Sequence, residues 1–100
     1  MFGLKTEQIA TIKNILKKHL TDQERVYVFG SRVGKKYKVF SDLDLCIVSD
    51  KKNVHYNKIL DIRTDYENSD LPIKIDIVFY NSCSAHFRKI IDSNKIDLFY

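Results

Sequence analysis

The stretch "FGSRVGKKYKVFSDLDL", residues 29–45, collects basic and acidic side chains between two runs of strand-forming residues. Residues 26–29 have the β-branched and aromatic composition of a strand and stop at Gly30, and residues 43–48 form a second apolar run. If the chain is already extended at Asp42 and Asp44, both carboxylates project from one face while Leu43 points into the core. The stretch therefore predicts a strand, a polar turn and a second strand that begins with two acids.

The residues around this stretch predict helices on both sides of it. Residues 6–20 carry apolar side chains at helical spacing, with Thr6 as the expected N-cap. Asn53 is the expected cap of a second helix that runs to about Glu67, with its buried stripe at Ile59, Ile62 and Tyr66 and with Tyr56 as a further candidate.

A third strand and a third helix follow Pro72. Residues 73–80 alternate in character, which places the isoleucines on the core face and Asp76 on the other face. The last helix is expected to start at Asn81, Ser82 or Ser84 and to run through Phe87, Ile90 and Ile91, before a short tail with an apolar end. The order of elements predicts a small α/β domain with a short central sheet.

Composition limits the class of protein. One hundred residues, 44% of them hydrophobic and 30% charged, predict one folded domain over residues 1–100. The net charge of +4 is compatible with nucleic acid, nucleotides or an acidic protein, and does not choose among them. Cys46 and Cys83 are expected to be buried or incidental thiols. No apolar run approaches the roughly 20 residues that span a bilayer, so we expect a cytoplasmic protein without a membrane partner.

The paired acids predict a cation site. Two carboxylates held as close as those of Asp42 and Asp44 repel each other, and a cation or a proton must offset that repulsion. Mg²⁺ prefers one or two carboxylates together with phosphate oxygens of a substrate. Asp76 supplies a third carboxylate on a strand whose polar face is expected to adjoin theirs, and three acids on one sheet face can hold two metal ions.

The turn at Gly30 and Ser31 predicts a phosphate contact. Glycine lets backbone N–H groups approach an anion closely, and Ser31 adds a hydroxyl donor, above all if the following residues open a helical turn. Four basic side chains in the same loop would supply positive charge for a polyphosphate: Arg32, Lys35, Lys36 and Lys38.

Each of these features has an ordinary structural explanation when it is taken alone. An Asp-x-Asp pair is common at strand ends, a Gly-Ser step is usually a simple turn, and a basic run is usually a solvated loop. Asp76 alone would more often be a strand residue paired with Lys74. The order of the elements favours the functional interpretation, because each falls where a nucleotidyl-transfer site would need it.

The same residues resemble the signature of the nucleotidyltransferase superfamily related to DNA polymerase β. That signature is Gly-Ser, ten residues, then Asp-x-Asp, and it matches Gly30-Ser31 and Asp42-Leu43-Asp44. The third carboxylate of the family matches Asp76 in "IKIDIVFY". The short chain resembles the minimal nucleotidyltransferase (MNT) branch, which is similar to the antitoxin of HEPN–MNT toxin–antitoxin pairs. The resemblance spans about residues 26–79 and implies a polymerase β-like fold, a small mixed sheet with helices packed on one face.

The resemblance also implies an activity and roles for the site residues. The activity is transfer of a nucleoside monophosphate from a nucleoside triphosphate, here ATP, to a hydroxyl. Asp42 and Asp44 would ligate both Mg²⁺ ions, and Asp76 would ligate the catalytic ion and help to deprotonate the acceptor. Gly30 and Ser31, helped by Arg32, would hold the β- and γ-phosphates. Family members commonly carry a second glycine four places into the ten-residue spacer, whereas Gly34 is the third spacer residue here.

Three functional hypotheses follow from the resemblance. The first is an enzyme that moves AMP from ATP to a tyrosine of a cognate HEPN ribonuclease toxin, with which it forms a hetero-oligomer and which it neutralises. The second is a non-catalytic antitoxin that masks the toxin by complex formation. The third is a nucleotidyltransferase with a small-molecule or RNA acceptor, although a net charge of +4 makes a stable nucleic-acid partner unexpected.

Overall fold

The computed structural model describes residues 1–50 and 56–99. This part of the chain forms three helices and four strands, and two short 3₁₀ turns lie at Ser31–Val33 and Tyr80–Ser82. The helices are α1 (Thr6–His19), α2 (Tyr56–Glu67) and α3 (Ala85–Asn94), and the strands are β1 (Glu24–Phe29), β2 (Leu43–Ser49), β3 (Ile75–Phe79) and β4 (Ile96–Asp97). None of these helices is long and apolar enough to span a bilayer.

The four strands form one mixed sheet, as predicted. Their order is β3-β2-β1-β4, with β2 and β3 parallel and the other neighbours antiparallel. Asp44 lies opposite Phe29 on one side and opposite Asp76 on the other. This register brings the end of β1 and the beginnings of β2 and β3 to the same edge of the sheet.

Side chains alternate between two apolar layers because successive strand residues point to opposite faces. One face packs under α1 and α2 around Ile12, Leu16 and Ile62, which are fully buried. The other face carries Phe29 and Cys46, which pack against Ile91 and Phe87 of α3. Helices α1 and α2 therefore share one face as expected, whereas α3 covers the opposite face, beside the strand positions of Asp44 and Asp76.

Several details of the predicted elements need correction. Lys5, not Thr6, stands at the N-cap of α1, where the Gln8 side-chain oxygen accepts a hydrogen bond from the Lys5 N–H at 2.8 Å. Tyr56 is exposed instead of joining the buried stripe of α2.

Other predictions about helix ends and the tail have mixed outcomes. Ser84 caps α3 by accepting a hydrogen bond from the Phe87 N–H at 3.1 Å, which is one of the three predicted starts. The predicted cap Asn53 lies outside the described residues. The tail contributes the short strand β4 beside β1 and buries Leu98, and the sequence pattern had not predicted that strand.

Candidate active site

The candidate site lies where β1 ends and where β2 and β3 begin. Gly30 follows β1 directly and has φ of +81° and ψ of −155°, a backbone conformation that is essentially restricted to glycine. A Cβ atom added at Gly30 would lie 2.5 Å from Oδ2 of Asp44, well inside van der Waals contact. The absence of a side chain at Gly30 is therefore what lets the turn and the carboxylate of Asp44 touch.

The three predicted acids come to one edge of the sheet. Asp44 and Asp76 are direct neighbours on parallel strands and lie on the same face, and Asp42 is an exposed residue just before β2. Burial, together with the negative charges of Asp76 and Asp42, raises the pKa of Asp44. The carboxylates of Asp76 and Asp42 therefore lie close enough to Asp44 for their negative charges to disfavour its ionised form.

The acids are near one another without being gathered around one point. In residues 1–50 and 56–99, no group of three His, Cys, Asp or Glu side chains is arranged to hold a metal ion. Asp76 instead pairs with Lys74, with Nζ 3.3 Å from Oδ1, and both side chains are well exposed. This exposed ion pair is weak, so the carboxylate of Asp76 is available to a cation or a substrate.

Ser31 opens the 3₁₀ turn that follows Gly30, and its side chain is exposed. The Val33 N–H closes this turn by donating to the Gly30 carbonyl at 3.2 Å. The predicted helical turn is therefore present, although it covers three residues only. Ser31 directly follows Gly30, which contacts the carboxylate of Asp44, so its exposed hydroxyl is a candidate donor for an anionic ligand.

Arg32 has surroundings that differ from the expected ones. Its side chain is only 2% exposed, and three of its nitrogens donate to backbone carbonyls of Ser41, Phe2 and Val39 at 2.8, 2.9 and 2.9 Å. The guanidinium also lies over the Tyr37 ring, 5.0 Å from its centroid. Arg32 thus holds the spacer loop together from inside, while direct contact of Arg32 with phosphate stays a prediction.

Asn94 is a site residue that the sequence did not indicate. At the last position of α3, its side-chain amide meets both backbone groups of Gly30: the Gly30 N–H donates to Oδ1 at 3.4 Å, and Nδ2 donates to the Gly30 carbonyl at 3.3 Å. These are long hydrogen bonds, but they tie the turn to the helix on that face of the sheet. A single asparagine at a helix end carries no recognisable motif, so only the fold reveals its position.

Taken together, the fold and the site define a nucleotidyltransferase: a mixed sheet with a glycine turn pressed against paired carboxylates. The chain belongs to the polymerase beta nucleotidyltransferase family, whose model matches residues 10–100. This confirms the family that the Gly-Ser and Asp-x-Asp motifs predicted.

Known relatives and solved structures agree with this assignment. The chain is 36% identical over 88 residues to a probable protein adenylyltransferase, MntA, of Haemophilus influenzae, with 88% of this chain and 75% of that protein covered. A toxin–antitoxin crystal structure with AMP-PNP aligns with a TM-score of 0.73 at 18% identity, over 90% of this chain and 71% of that one. A tri-AMPylated HEPN toxin in complex with an MNT antitoxin from Shewanella oneidensis gives 0.69 at 16% identity, over 95% and 71%. The two structures support the fold.

The raised pKa of Asp44 predicts a stability cost in the ligand-free protein. Because the folded pKa lies above the unfolded one, ionised Asp44 destabilises the fold above its folded pKa, and the cost disappears as the pH falls through that pKa. We expect Asp44→Asn to raise the melting temperature at neutral pH, with a gain that shrinks on acidification. Thermal unfolding between pH 3 and pH 7 measures this. Asp61→Asn, on the exposed side of α2, is the control; an equal gain from that variant would contradict the assignment.

Proposed function

We propose that this protein transfers AMP from ATP to a tyrosine hydroxyl of a partner HEPN ribonuclease toxin and so acts as an antitoxin. The observation that carries the proposal is the contact of the Gly30 turn with the carboxylate of Asp44, beside Asp76 on the neighbouring strand. The similarity to a probable protein adenylyltransferase supports AMP as the transferred group. The complexes of HEPN toxins with MNT antitoxins support a hetero-oligomer with a protein acceptor.

The turn residues would hold the triphosphate. Gly30 lets the turn lie directly against the carboxylate of Asp44 because it has no Cβ, and Ser31 adds an exposed hydroxyl. The ATP analogue bound in a solved toxin–antitoxin structure of the same fold supports a nucleoside triphosphate as substrate. Arg32 holds the spacer loop through its buried guanidinium, and Lys35, Lys36 and Lys38 are exposed cations that can approach the phosphates.

The acids would hold Mg²⁺. Three carboxylates on one edge are a donor set that this ion accepts, and the repulsion that raises the pKa of Asp44 is the repulsion that a cation relieves. Asp42 and Asp44 would ligate both ions, and Asp76 would ligate one of them. When bound, Mg²⁺ would neutralise the phosphate charge and lower the pKa of the attacking hydroxyl.

For the transfer step itself, the main task of the protein is to orient the reacting groups. The tyrosine oxygen forms a bond with the α-phosphorus of ATP, and the bond from that phosphorus to the bridging oxygen breaks, so that pyrophosphate leaves. Asp76 would accept the hydroxyl proton, and the 40% exposure of its side chain supports this role. We propose that residues 1–100 supply this chemistry as one domain, while the partner brings the acceptor.

Labelled ATP tests the proposal. Incubation of the protein with the HEPN toxin, Mg²⁺ and α-³²P-ATP is expected to label the toxin, whereas γ-³²P-ATP is expected to leave it unlabelled because the γ-phosphate departs with pyrophosphate. Label from γ-³²P-ATP would instead indicate phosphorylation. A toxin that takes no label from either form, yet still binds, would support the alternative of neutralisation by complex formation alone.

A further inference from the structure

The spacer loop of the candidate site ends in an apolar tip formed by Val39 and Phe40. Their side chains are 78% and 80% exposed, the two highest values among the large hydrophobic residues that the structure describes. Single exposed apolar residues are normal on a protein surface. Two consecutive ones, close in the chain to Asp42, are an exposed apolar surface of the kind that a partner covers.

The backbone of this tip is a closed turn. The Ser41 N–H donates to the Lys38 carbonyl at 3.0 Å, which places Val39 and Phe40 at the two central positions of a β-turn. The Lys38 N–H donates back to the Ser41 hydroxyl at 2.8 Å. Glycine, proline, asparagine and aspartate usually fill such central positions, so the local conformation of the turn does not explain a valine and a phenylalanine there.

Arg32 fixes this turn to the body of the protein. Its guanidinium donates to the carbonyls of both Val39 and Ser41 and, through a third nitrogen, to Phe2. A buried arginine is costly unless such hydrogen bonds satisfy it, and here two of the three accepting carbonyls belong to the turn itself. A tip that is already ordered loses little conformational entropy when another molecule covers it, which favours binding.

The position and charge of the tip restrict the kind of partner. Phe40 lies two residues before Asp42, at most about 7 Å along the chain, so a molecule on the tip also reaches Asp42. Three exposed lysines flank the tip: Lys35, Lys36 and Lys38. A segment that combines apolar and acidic side chains would match this surface.

We propose that the Val39–Phe40 tip docks the protein that carries the acceptor hydroxyl, through an apolar and acidic segment beside that hydroxyl. This inference rests on the proposed function, because it assigns the acceptor side of the same site. The Gly30 turn then binds the nucleotide, whereas the tip determines which protein is modified.

The double variant Val39→Ser, Phe40→Ser tests the docking surface. Both side chains are exposed, so the melting temperature should stay unchanged. With the HEPN toxin as the probe, we expect the KM for toxin to rise about tenfold or more, with KM for ATP unchanged. The Kd of the toxin measured without ATP should rise in parallel. The matched control is Tyr56→Ser, which removes a large side chain that is 69% exposed at the start of α2 and should alter none of these values.

The outcomes separate this inference from the proposed function. If the wild-type protein labels no toxin, the proposed activity fails, while the Kd comparison still tests the tip. If the wild type labels the toxin and the double variant does so with the same KM and Kd, the docking role is wrong. A rise in the KM for ATP alone would indicate that the tip contacts the nucleotide, and that result would also overturn the docking role.

Discussion

Asp42→Asn combined with Asp44→Asn is expected to reduce the rate of AMP transfer by a factor of about 1,000 or more. Loss of the acids that hold the cations removes several kcal/mol of transition-state stabilisation, and each 1.4 kcal/mol corresponds to about a factor of ten. Asparagine keeps the shape of the side chain, so the fold should survive. The measurement is the initial rate of label transfer from α-³²P-ATP to the HEPN toxin.

The matched control for this experiment is Asp22→Asn combined with Asp50→Asn. Both residues are exposed, and they lie at the far end of the sheet, where β1 begins and β2 ends. Asp50 is six residues beyond Asp44, about 20 Å along the strand direction. The control should transfer AMP at the wild-type rate. Retention of most activity in the Asp42 and Asp44 variant would show that these acids are not the metal ligands.

Gly30→Ala is expected to damage both the fold and the site. The backbone at Gly30 has a conformation that costs other residues about 1–3 kcal/mol. The added Cβ would also lie 2.5 Å from the carboxylate of Asp44, which must then move. We expect the free energy of unfolding to fall by about that amount and the transfer rate to fall on the order of a hundredfold, since a shift of about 1 Å in a reacting site has that effect. Urea unfolding and label transfer measure the two effects.

Gly34→Ala supplies the control at a second glycine of the same loop. Gly34 has φ of −90°, and the nearest atom to an added Cβ is the Ser31 carbonyl oxygen at 4.0 Å. We expect a change in stability within about 0.5 kcal/mol and normal transfer. The glycine that departs from the usual family position is therefore not needed for its backbone freedom. If Gly34→Ala lost activity while Gly30→Ala kept normal activity and stability, the roles assigned here to the two glycines would be wrong.

The sequence predicted the positions of Gly30 and the acids better than it predicted the contacts that hold the surrounding loop in place. Gly30 meets Asp44, and Asp44 lies beside Asp76, because the pairing register of β1, β2 and β3 determines which residues become neighbours where these strands end or begin. Arg32 was expected among mobile cations, but the loop folds over it and offers carbonyls that satisfy a buried guanidinium. Residue type alone does not predict such partners, because they belong to backbone groups of distant residues.

Long-range packing explains the other differences. The spacing of apolar residues indicates that α3 is amphipathic, but it does not say which face of the sheet α3 covers. Strand β4 has two residues, too few to show alternation, and it forms only because Tyr27 and Val28 offer an open edge. Asn94 reaches Gly30 through that same placement of α3, so its role also depends on the three-dimensional arrangement.

The most direct test of the central claim is whether neutralisation of the toxin survives removal of this protein. The HEPN toxin is incubated with the protein, ATP and Mg²⁺, the two proteins are then separated under denaturing conditions, and the toxin is refolded and assayed for ribonuclease activity alongside its intact mass. We expect the toxin to remain inactive and to carry added AMP, whereas toxin treated with the Asp42→Asn, Asp44→Asn variant should recover activity and keep its original mass. Full recovery of an unmodified toxin after treatment with the wild-type protein would contradict catalysis and would indicate neutralisation by binding alone.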